Sequence, residues 1–549
     1  MMKYLALLIL SISFADAVSQ KVNYTRQDSL RGSITPERAW WDLLHYDLYV
    51  SVDIPKKSIS GKNVITYKVL NSHQLMQIDL QSPMRIDGVQ QGGKLLKITH
   101  EGSAHFIHLE ELQKVGETRT IEVTFSGKPR EAENAPWDGG FVWTKDSNGK
   151  DFVANANQGI GASVWWPNKD HPSDEPDHGL KLSINVPRKL KAVGNGRLLE
   201  VKKEKDNTLT FVWEVKNPIN NYGVNINIAD YVNFKDVYQG EKGPLDFDFW
   251  VLKENLKKAK VHFQDAYRTM EAFEHWFGPY PFYEDSYKLV DVPYVGMEHQ
   301  SSVTYGNGYT KGYKGSDLSL TGWGLKWDYI IVHETGHEWF ANSITYKDAA
   351  DLWVHESFTS YSESLFIEYF YGKKAAYDYL KGSRYSIQNQ ESIIGDYGVN
   401  DRGADLYNKG ANVLHTLRQL IDDDDLWKDI LRGLNKEFYH QIVDTKDIEG
   451  YFAERSGLEL DAFFDQYLRD TRVPVLEYIF SGQEILFRWT NCIPEFDMPI
   501  KVYLDGAPII IRPSASWSRY PLGKSVSEME TDKEFYVYSN EVIVNAINE

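Results

Sequence analysis

Two histidines and two glutamates in one stretch of the chain have the types and spacing of a metal centre. His333-Glu334-x-x-His337 is followed after eighteen residues by Glu356. On a helix, residues four apart share a face, so both imidazoles can bind one ion, and Glu356 can add a third ligand from a second helix. Three protein ligands plus a water is the coordination of a catalytic zinc. Glu334, about 100° around the helix from His333, lies where the general base for that water has to be.

The flanking sequence predicts the two helices that such a centre needs. An apolar run at 327–332 leads into the motif and predicts a helix over 327–342. Asp351 is the expected N-cap of a second helix over 352–371. The alternative is a buried helix whose histidines are satisfied core residues, but two histidines and a glutamate without partners are costly to bury. The pattern therefore favours the metal centre.

The composition of the whole chain limits its class. With 549 residues and 42% hydrophobic content, the chain is long enough for about three packed domains. Its 60 basic and 78 acidic residues give a net charge of −18, which argues against nucleic acid and against an anionic membrane surface as partners. Cys492 is the single cysteine, so no intrachain disulfide can form and the packed cores must hold the domains together.

The first residues have the composition of a targeting signal. Lys3 precedes an apolar run at 4–14, and Ala-Asp-Ala at 15–17 fits the small-x-small cleavage rule. The run is shorter than the about 20 residues that span a bilayer, which favours a signal peptide at 1–17 over an N-terminal anchor. No later segment is long and apolar enough to cross a membrane. The mature chain is expected to begin at Val18 and to be exported, either to the periplasm or out of the cell.

The hydrophobic pattern changes twice along the chain. Between about 46 and 231, short segments alternate by two, which predicts an all-β region. From about 246 the pattern is helical, and beyond Pro474 it returns to strands. The acidic run at 422–425 is interpreted as a loop and N-cap rather than a calcium site. Helices are predicted at 255–277, 327–342, 352–371, 407–421, 425–439 and 446–470.

Three further motifs resemble those of one known family. Residues 295–299 (Val-Gly-Met-Glu-His) look like its G-x-M-E-N loop, residues 351–356 (Asp-Leu-Trp-Val-His-Glu) like its D-L-W-L-N-E, and residues 407–411 (Tyr-Asn-Lys-Gly-Ala) like its Y-E-K-G-A. Together with the zinc motif, they make most of the chain similar to the aminopeptidase N family of zinc metallopeptidases, which are gluzincins and include the leukotriene hydrolases. Gln158 falls where that family has a Gln or Glu in its first β domain.

Four of the departures from the family pattern lie in or directly beside the substrate loop and the motif of the third ligand. Val295 replaces a Gly, His299 and His355 replace Asn residues, and Ser357 replaces a Gly. None of the four is a predicted metal ligand or the general base. We therefore expect the departures to affect backbone contacts to the substrate and the shape of the pocket.

The resemblance implies a multidomain α+β fold with three domains after the signal peptide. These are an N-terminal β-sandwich domain at 18–234, a thermolysin-like zinc catalytic domain at 235–472 and a small C-terminal β domain at 473–549. The family's long C-terminal helical domain has no counterpart in this sequence. Because Gln158 and the zinc ligands come from different domains, the site is expected where the first two domains meet.

The resemblance also implies roles for residues outside the metal motif. Glu298 and Gln158 would bind the free α-ammonium of a peptide, with Gly296 and Met297 contributing to substrate binding. Such a group needs buried anionic or amide acceptors. Tyr407 would donate a hydrogen bond to the oxyanion that forms during attack on the carbonyl.

A further role follows from spacing. Glu363 lies seven residues after Glu356 and so on the same helix face. It is the candidate for orienting a zinc histidine from outside the ligand set.

The predicted function is that of an exported aminopeptidase with one zinc per chain, which removes N-terminal residues from peptides by attack of a zinc-bound water. Its partners would be peptides with a free N-terminus. One rival is an endopeptidase, which needs no clamp for the α-ammonium. A second is an epoxide hydrolase that uses the same zinc. The third is a peptide-binding protein without activity, although decayed enzymes usually lose the base or a histidine and this chain keeps Glu334, His333 and His337.

Overall fold

The computed structural model describes residues 23–523 and 526–543. The predicted signal peptide at 1–17 lies outside these residues. Within the described ranges, no helix combines the length and the apolar character that crossing a bilayer requires.

The first part of the structure is built of strands, after the short helices α1 (Arg26–Gly32) and α2 (Pro36–Ala39). In β2 the buried residues Ile65, Tyr67 and Val69 alternate with less buried ones, as the period of two predicts. The strands of this part are β1 Trp41–Asp53, β2 Ser58–Val69, β3 His73–Asp79, β4 Arg85–Gln91, β5 Lys94–Leu95, β6 Lys97–Glu101, β7 Ala104–Gln113, β8 Thr118–Gly127, β9 Gly140–Lys145, β10 Asp151–Ala156, β11 Leu180–Pro187, β12 Lys191–Val193, β13 Arg197–Lys203, β14 Thr208–Val215 and β15 Asn227–Ala229.

These strands form three sheets around one hydrophobic core. The largest has eight strands in the order β13-β14-β11-β1-β2-β8-β4-β5, and its β1 and β11 run parallel. A three-stranded sheet (β3-β7-β6) and a four-stranded sheet (β12-β15-β10-β9) complete this part. Trp165, Trp166 and Trp213 are fully buried in the core. The chain leaves β10 at Ala156, so Gln158 lies just beyond the end of a strand in the smaller four-stranded sheet.

The second part combines a five-stranded sheet with helices. The sheet order β16-β17-β18-β20-β19 puts β19, which carries Gly296 and Met297, next to β20 at one edge. Its strands are β16 Tyr231–Gly240, β17 Gly243–Leu252, β18 Tyr287–Asp291, β19 Gly296–Met297 and β20 Val303–Tyr305, and a separate parallel pair is β21 Ile344–Tyr346 with β22 Gln441–Val443. The helices are α3 Leu256–His262, α4 Gln264–Phe277, α5 Tyr329–Gly336, α6 Trp353–Tyr371, α7 Lys373–Ser383, α8 Asn408–Ile421, α9 Asp424–Glu437, α10 Thr445–Ser456 and α11 Asp461–Phe464.

Several predicted helices are confirmed and others are divided. The helix over 352–371 is confirmed as α6, and Asp423 caps α9 by accepting the N–H groups of Asp425 and Leu426 at 3.0 Å. The single helix over 255–277 is wrong. The chain breaks at Phe263 into α3 and α4, because the Phe263 ring turns into the core against Phe249 and Tyr305.

Two glycines explain further differences in the helical part. The predicted helix over 446–470 ends early because Gly457, with φ +69°, terminates α10 in a left-handed conformation. A short α11 and one π turn at Asp465–Arg469 follow. Gly372 ends α6 as expected, but a new helix, α7, begins directly after it.

The last part returns to strands, in a four-stranded sheet (β27-β24-β23-β29) and a three-stranded sheet (β26-β25-β28). Their bounds are β23 Val475–Ser481, β24 Glu484–Thr490, β25 Ile500–Leu504, β26 Ala507–Ile511, β27 Ser518–Pro521, β28 Met529–Thr531 and β29 Tyr538–Glu541. The buried Trp489 and Phe496 belong to the same hydrophobic cluster as the helices of the second part. The predicted fold class, with a β-rich N-terminal region, a helical second region and a β-rich C-terminal region, is confirmed. The predicted domain limits stay predictions.

Candidate metal centre

Helix α5, which carries the first histidine of the motif, is fixed at its start by a buried aspartate. Asp328 caps the helix by accepting the Ile331 N–H at 3.0 Å through Oδ1. Its other oxygen accepts the Tyr305 hydroxyl at 2.8 Å and lies 2.6 Å from His262 Nε2. The helix is therefore tied to β20 and to α3 before it reaches the metal motif.

Helix α5 ends at Gly336, so the predicted helix over 327–342 is wrong in its second half. A Cβ atom at Gly336 would lie 2.7 Å from Ser362 Oγ, because α5 and α6 approach each other closely there. His337 follows the last helical residue, yet its φ of −64° and ψ of −16° keep it in a helical conformation. The ring centroids of His333 and His337 are 4.9 Å apart, and the two imidazoles remain on one face.

The third ligand of the predicted set comes from the first turn of α6. Glu356 Oε2 lies 3.8 Å from His333 Nε2 and 3.4 Å from His337 Nε2. Zinc bonds of about 2.0–2.1 Å at tetrahedral angles put ligand atoms about 3.3 Å apart. Among the described residues, Glu356 Oε2 is buried and has no hydrogen-bond partner. A metal ion between these three atoms would satisfy it.

Both imidazoles use their other nitrogen in the protein, which leaves Nε2 free for a metal. His333 Nδ1 is 2.7 Å from Glu363 Oε1, and His337 Nδ1 is 3.0 Å from the carbonyl oxygen of Phe340. Such partners fix the tautomer and the orientation of metal-binding imidazoles. The donor set, its spacing and the orphaned oxygen of Glu356 fit zinc. The structure thus places Glu363 in contact with His333, one of the two histidines of the predicted ligand set.

The predicted N-cap of α6 is wrong, although α6 itself begins where expected. Asp351 belongs to a short 3₁₀ turn, and its carboxylate accepts the hydroxyls of Thr445 and Tyr397, both at 2.6 Å. Asp348 caps that turn instead by accepting the Ala350 N–H at 3.1 Å. Asp351 therefore binds Thr445 and Tyr397 instead of capping α6, and the 3₁₀ turn to which it belongs leads directly into α6.

Glu334 lies beside the ligand set in a position suited to a base. Only 8% of its surface is exposed, and burial raises its pKa to about 7, although the neighbouring His333 imidazole opposes that effect. A carboxylate with a pKa near neutrality can both accept and release a proton. Gly296 packs against the same helix, where a Cβ atom would lie 3.4 Å from Glu334 Cγ.

The two predicted ammonium acceptors meet at the metal centre, although they come from distant parts of the chain. The Gln158 amide nitrogen donates to Glu298 at 2.7 Å and to Glu356 at 2.9 Å. The Tyr222 hydroxyl also donates to Glu298, at 3.2 Å. Burial raises the pKa of Glu298, whose side chain is almost fully enclosed. A substrate ammonium would find two carboxylates and one amide within reach.

The sequence did not reveal the residues that hold the loop of Glu298. The Glu338 carboxylate accepts the Ser301 N–H at 2.8 Å, and the Asn342 amide donates to the Glu298 carbonyl at 2.9 Å. Asn220, from the first β region, donates to Asn342 at 3.1 Å. The sequence offered one indication of such a residue, namely that Glu338 directly follows the metal motif.

Tyr407 lies at the wall of the cavity, just before α8, with 38% of its surface exposed. Its ring centroid is 6.1 Å from that of His333. Loss of solvent and the carboxylates of Glu356 and Glu298 raise its pKa well above the ordinary value. The phenol therefore keeps its proton and can donate a hydrogen bond into the cavity.

The four departures from the family pattern are all buried or shape the backbone near the site. Ser357 donates to the Leu406 carbonyl at 2.6 Å, directly before Tyr407, and a Cβ atom at Gly410 would collide with the Ser357 hydroxyl. His355 accepts the backbone N–H of Tyr346 at 2.9 Å. That ring holds the strand before α6.

Val295 lies directly before β19, and His299 lies two residues after its end. Burial lowers the pKa of His299 to about 3, so its ring is neutral, and Nδ1 is 3.2 Å from the Thr304 hydroxyl. Val295 is 4% exposed and belongs to the hydrophobic cluster of the second region. Both residues support the loop without entering the ligand set.

The metal centre opens into a cavity of about 510 Å³. Its wall includes every predicted site residue: Gln158, Gly296, Met297, Glu298, His333, Glu334, His337, Glu356, Glu363 and Tyr407. Two aromatic or apolar positions from the first β region, Pro136 and Trp137, also face it. Arg402 lines the same cavity and was not singled out in the sequence.

Two family models match this chain. Residues 43–222 match the Peptidase M1 N-terminal domain, and residues 261–467 match the Peptidase family M1 domain.

Curated relatives are similar at low identity. "Probable aminopeptidase 2" of Sulfurisphaera tokodaii is 21% identical over 80% of this chain and 55% of its own length. The human endoplasmic reticulum aminopeptidase 1 is 22% identical over 72% of this chain and 44% of its own length. Aminopeptidase N of Lactococcus lactis is 22% identical over 79% of this chain and 51% of its own length. The chain thus spans about half the length of the curated relatives it matches.

Solved structures share the fold. The M1 zinc metallopeptidase of Deinococcus radiodurans superimposes with a TM-score of 0.69 at 20% identity, covering 81% of this chain and 98% of that one. A mutant of that metallopeptidase bound to a Tyr-Ser-Ala substrate gives a TM-score of 0.66 at 20% identity, with the same coverage of both chains.

Proposed function

The chain belongs to peptidase family M1, and on that premise we propose that it is a zinc-dependent aminopeptidase acting on peptides with a free N-terminus. The observation that carries the proposal is the contact between Gln158, Glu298 and Glu356 beside the metal ligands. An endopeptidase has no use for buried carboxylates and an amide converging on one point next to the reacting bond.

The roles of the side chains follow from their places. His333, His337 and Glu356 would hold one zinc, which supplies a Lewis acid that activates water and polarises the scissile carbonyl when bound. Glu334 accepts the proton of the attacking water and passes it to the leaving amine. Tyr407 donates a hydrogen bond to the carbonyl oxygen as it gains negative charge.

The remaining residues position the peptide. Glu298, aided by Gln158, binds the α-ammonium and so fixes the first peptide bond over the metal centre. The backbone of Gly296 and Met297 forms an edge strand beside the cavity, whose free side can pair with an extended peptide.

The test compares one peptide in two forms. We expect the free peptide to be shortened from its N-terminus in single steps, and its N-acetylated form to resist cleavage, because acetylation removes the charge that Glu298 binds. Glu298→Ala should lower kcat/KM by the equivalent of about 2–5 kcal/mol, as for one partner of a buried charged pair. Zinc content should stay at one per chain, since Glu298 lies outside the ligand set. A chelator should abolish cleavage.

Two outcomes would contradict the proposal. Internal cuts in the acetylated peptide, together with wild-type behaviour of Glu298→Ala, would indicate an endopeptidase. Absence of any cleavage by the zinc-loaded protein would indicate a binding protein.

A further inference from the structure

One cation on the wall of the cavity, Arg402, has no hydrogen-bond or ion-pair partner in the described part of the chain. In residues 23–523 and 526–543, no hydrogen bond or ion pair joins the exposed Arg402 guanidinium to another side chain. The cavity around it contains Glu298, Glu334, Glu356 and Glu363. An unpaired guanidinium in a cavity lined by carboxylates is a binding group for an anion that arrives with a ligand.

The guanidinium lies close to the residues of the proposed ammonium position. A Cβ atom at Gly159 would be 2.6 Å from Arg402 Nη1, so the charged group packs against the backbone of Gly159. The preceding residue, Gln158, contacts Glu298 and Glu356 at the ammonium position. The guanidinium thus packs against the residue next to the amide that contacts the proposed ammonium position, which favours the first residue of a peptide as its partner.

The segment that carries Arg402 is braced by hydrogen bonds on both sides. Asp401 accepts the Asp396 N–H at 2.9 Å, and the Ala404 N–H donates to the Ser392 carbonyl at 2.9 Å. Asp405 accepts the Gln388 N–H at 3.0 Å. Because the backbone of this segment is already fixed, binding at Arg402 does not have to order the segment.

We infer that Arg402 selects peptides whose first residue is aspartate or glutamate, by pairing its guanidinium with the side-chain carboxylate. The inference rests on the proposed function, because it names the substrate class of the same site. Without Arg402, the carboxylates of Glu298 and Glu356 would repel an acidic first residue. The apolar side chains of Met297 and Trp137, which line the same cavity, can contact the methylene groups of that residue.

The experiment compares glutamyl with glutaminyl naphthylamide, which differ only in the charge of the first side chain. We expect the wild-type kcat/KM to favour the glutamyl substrate about tenfold or more, as hydrogen bonds to charged groups imply. Arg402→Gln should bring the ratio to one or below, because the carboxylates of Glu298 and Glu356 then repel the glutamyl side chain. Arg402→Lys should keep part of the preference. Arg402→Glu should invert the preference towards a lysyl substrate. Arg85→Gln, at an exposed arginine of β4 paired with Asp87, is the matched control and should leave the ratio unchanged.

A second readout does not depend on turnover. Calorimetry should show that free L-glutamate binds more tightly than L-glutamine to the zinc-loaded wild type, and that Arg402→Gln removes the difference. If the protein cleaves none of the substrates, the proposed function fails, while the calorimetric comparison still decides the role of Arg402.

Two results would overturn the inference. One is an equal response of wild type and Arg402→Gln to glutamate and glutamine in both measurements. The other is a loss confined to an acidic second residue, seen as a change between alanyl-glutamyl and alanyl-glutaminyl peptides without a change for the first residue.

Discussion

At His333, the partner of one ring nitrogen decides where the other points. Glu363 lies 2.7 Å from Nδ1, and its second oxygen accepts the Tyr379 hydroxyl at 2.6 Å. At His337, the carbonyl oxygen of Phe340 and the hydroxyl of Thr359 both lie 3.0 Å from Nδ1, so loss of the hydroxyl leaves the carbonyl in place. Glu363 is therefore a suitable side chain for testing the orientation of a metal-binding imidazole.

Glu363→Ala should weaken zinc binding about 10–100-fold, because the imidazole of His333 loses the partner that fixes its tautomer. Competition with a chelator of known affinity measures the change. Tyr379→Phe, which leaves the Glu363–His333 contact in place, is the control and should have a smaller effect. Unchanged zinc affinity in Glu363→Ala would show that His333 needs no such partner.

Glu334→Gln removes the ability to take up a proton and keeps the size of the side chain. Turnover should fall about 10²–10⁴-fold, while zinc content remains at one per chain. Metal analysis and steady-state kinetics on the same preparation measure both quantities. Turnover close to that of the wild type would exclude Glu334 as the base.

Local spacing was enough to predict that the three proposed ligands lie together, whereas the residues that support them could not be predicted. His333, His337 and Glu356 belong to two consecutive helices, so their separation in sequence limits their separation in space. Arg402 reaches the cavity and Asn342 reaches the loop of Glu298 because distant segments fold together, and their residue types belong to no motif. Arg402 in particular is one arginine among many until the contact with Gly159 is known.

At the scale of helices, boundaries depended on tertiary contacts that sequence patterns do not contain. The apolar pattern predicted α5 up to residue 342, but the helix ends six residues earlier, at Gly336, where it lies close to α6. Asp351 has a suitable type and position for an N-cap, yet Thr445 and Tyr397 bind its carboxylate. The presence of α6 could be predicted because its length and its apolar residues can be read from one continuous segment of the sequence.

A buried carboxyl group joins the first β region to the segment after α5. The hydroxyl of Thr345 is 2.7 Å from Glu175 Oε1 and 2.7 Å from the Ala341 carbonyl. A hydroxyl has one proton to donate, so both contacts are satisfied when Glu175 is protonated and donates to Thr345. Burial raises the pKa of Glu175 to about 8, in agreement with a neutral carboxyl group.

The raised pKa predicts how stability depends on pH. Between the ordinary pKa of a glutamate and about 8, the unfolded chain has lost the proton that the folded chain keeps. Folded protein is then destabilised as pH rises through this window, by about 1.4 kcal/mol per pH unit at most, and the loss levels off above it. Glu175→Gln should flatten this dependence and should raise the apparent melting temperature more at pH 8 than at pH 5.

Thermal unfolding of wild type and variant across this pH range measures the effect. Glu133→Gln, at an exposed position, is the control and should leave the curve unchanged. Parallel curves for wild type and Glu175→Gln would mean that Glu175 is charged in the folded protein.

At the scale of the whole molecule, the site depends on the contact between the first β region and the helical region. Gln158 comes from the first region, and the metal ligands come from the second. Asn220 extends the same contact, because its amide donates to Asn342, which in turn donates to the Glu298 carbonyl. The first region thus reaches the proposed ammonium pocket directly and also holds the loop that carries Glu298.

Asn220→Ala tests whether the contact between the first β region and the helical region affects catalysis. The change leaves the buried Asn342 oxygen without its donor, a loss worth about 1–3 kcal/mol. The loop of Glu298 should then be less well fixed, and kcat/KM for a peptide should fall about tenfold while zinc content stays at one per chain. Because both residues act on the same group, the effects of Asn220→Ala and Glu298→Ala should combine to less than their sum.

Asn63→Ala is the matched control for Asn220→Ala. Asn63 is equally buried, but its amide donates at 2.9 Å to the Pro167 carbonyl within the first region. It should lower the melting temperature, and its effect on kcat/KM should be small and should add to that of Glu298→Ala. Steady-state kinetics of the single and double variants measures the coupling. A double variant loses less than the sum of the two single variants only if Asn220 and Glu298 act together. Full additivity of Asn220→Ala with Glu298→Ala would therefore mean that the first region supports the fold without positioning the ammonium pocket.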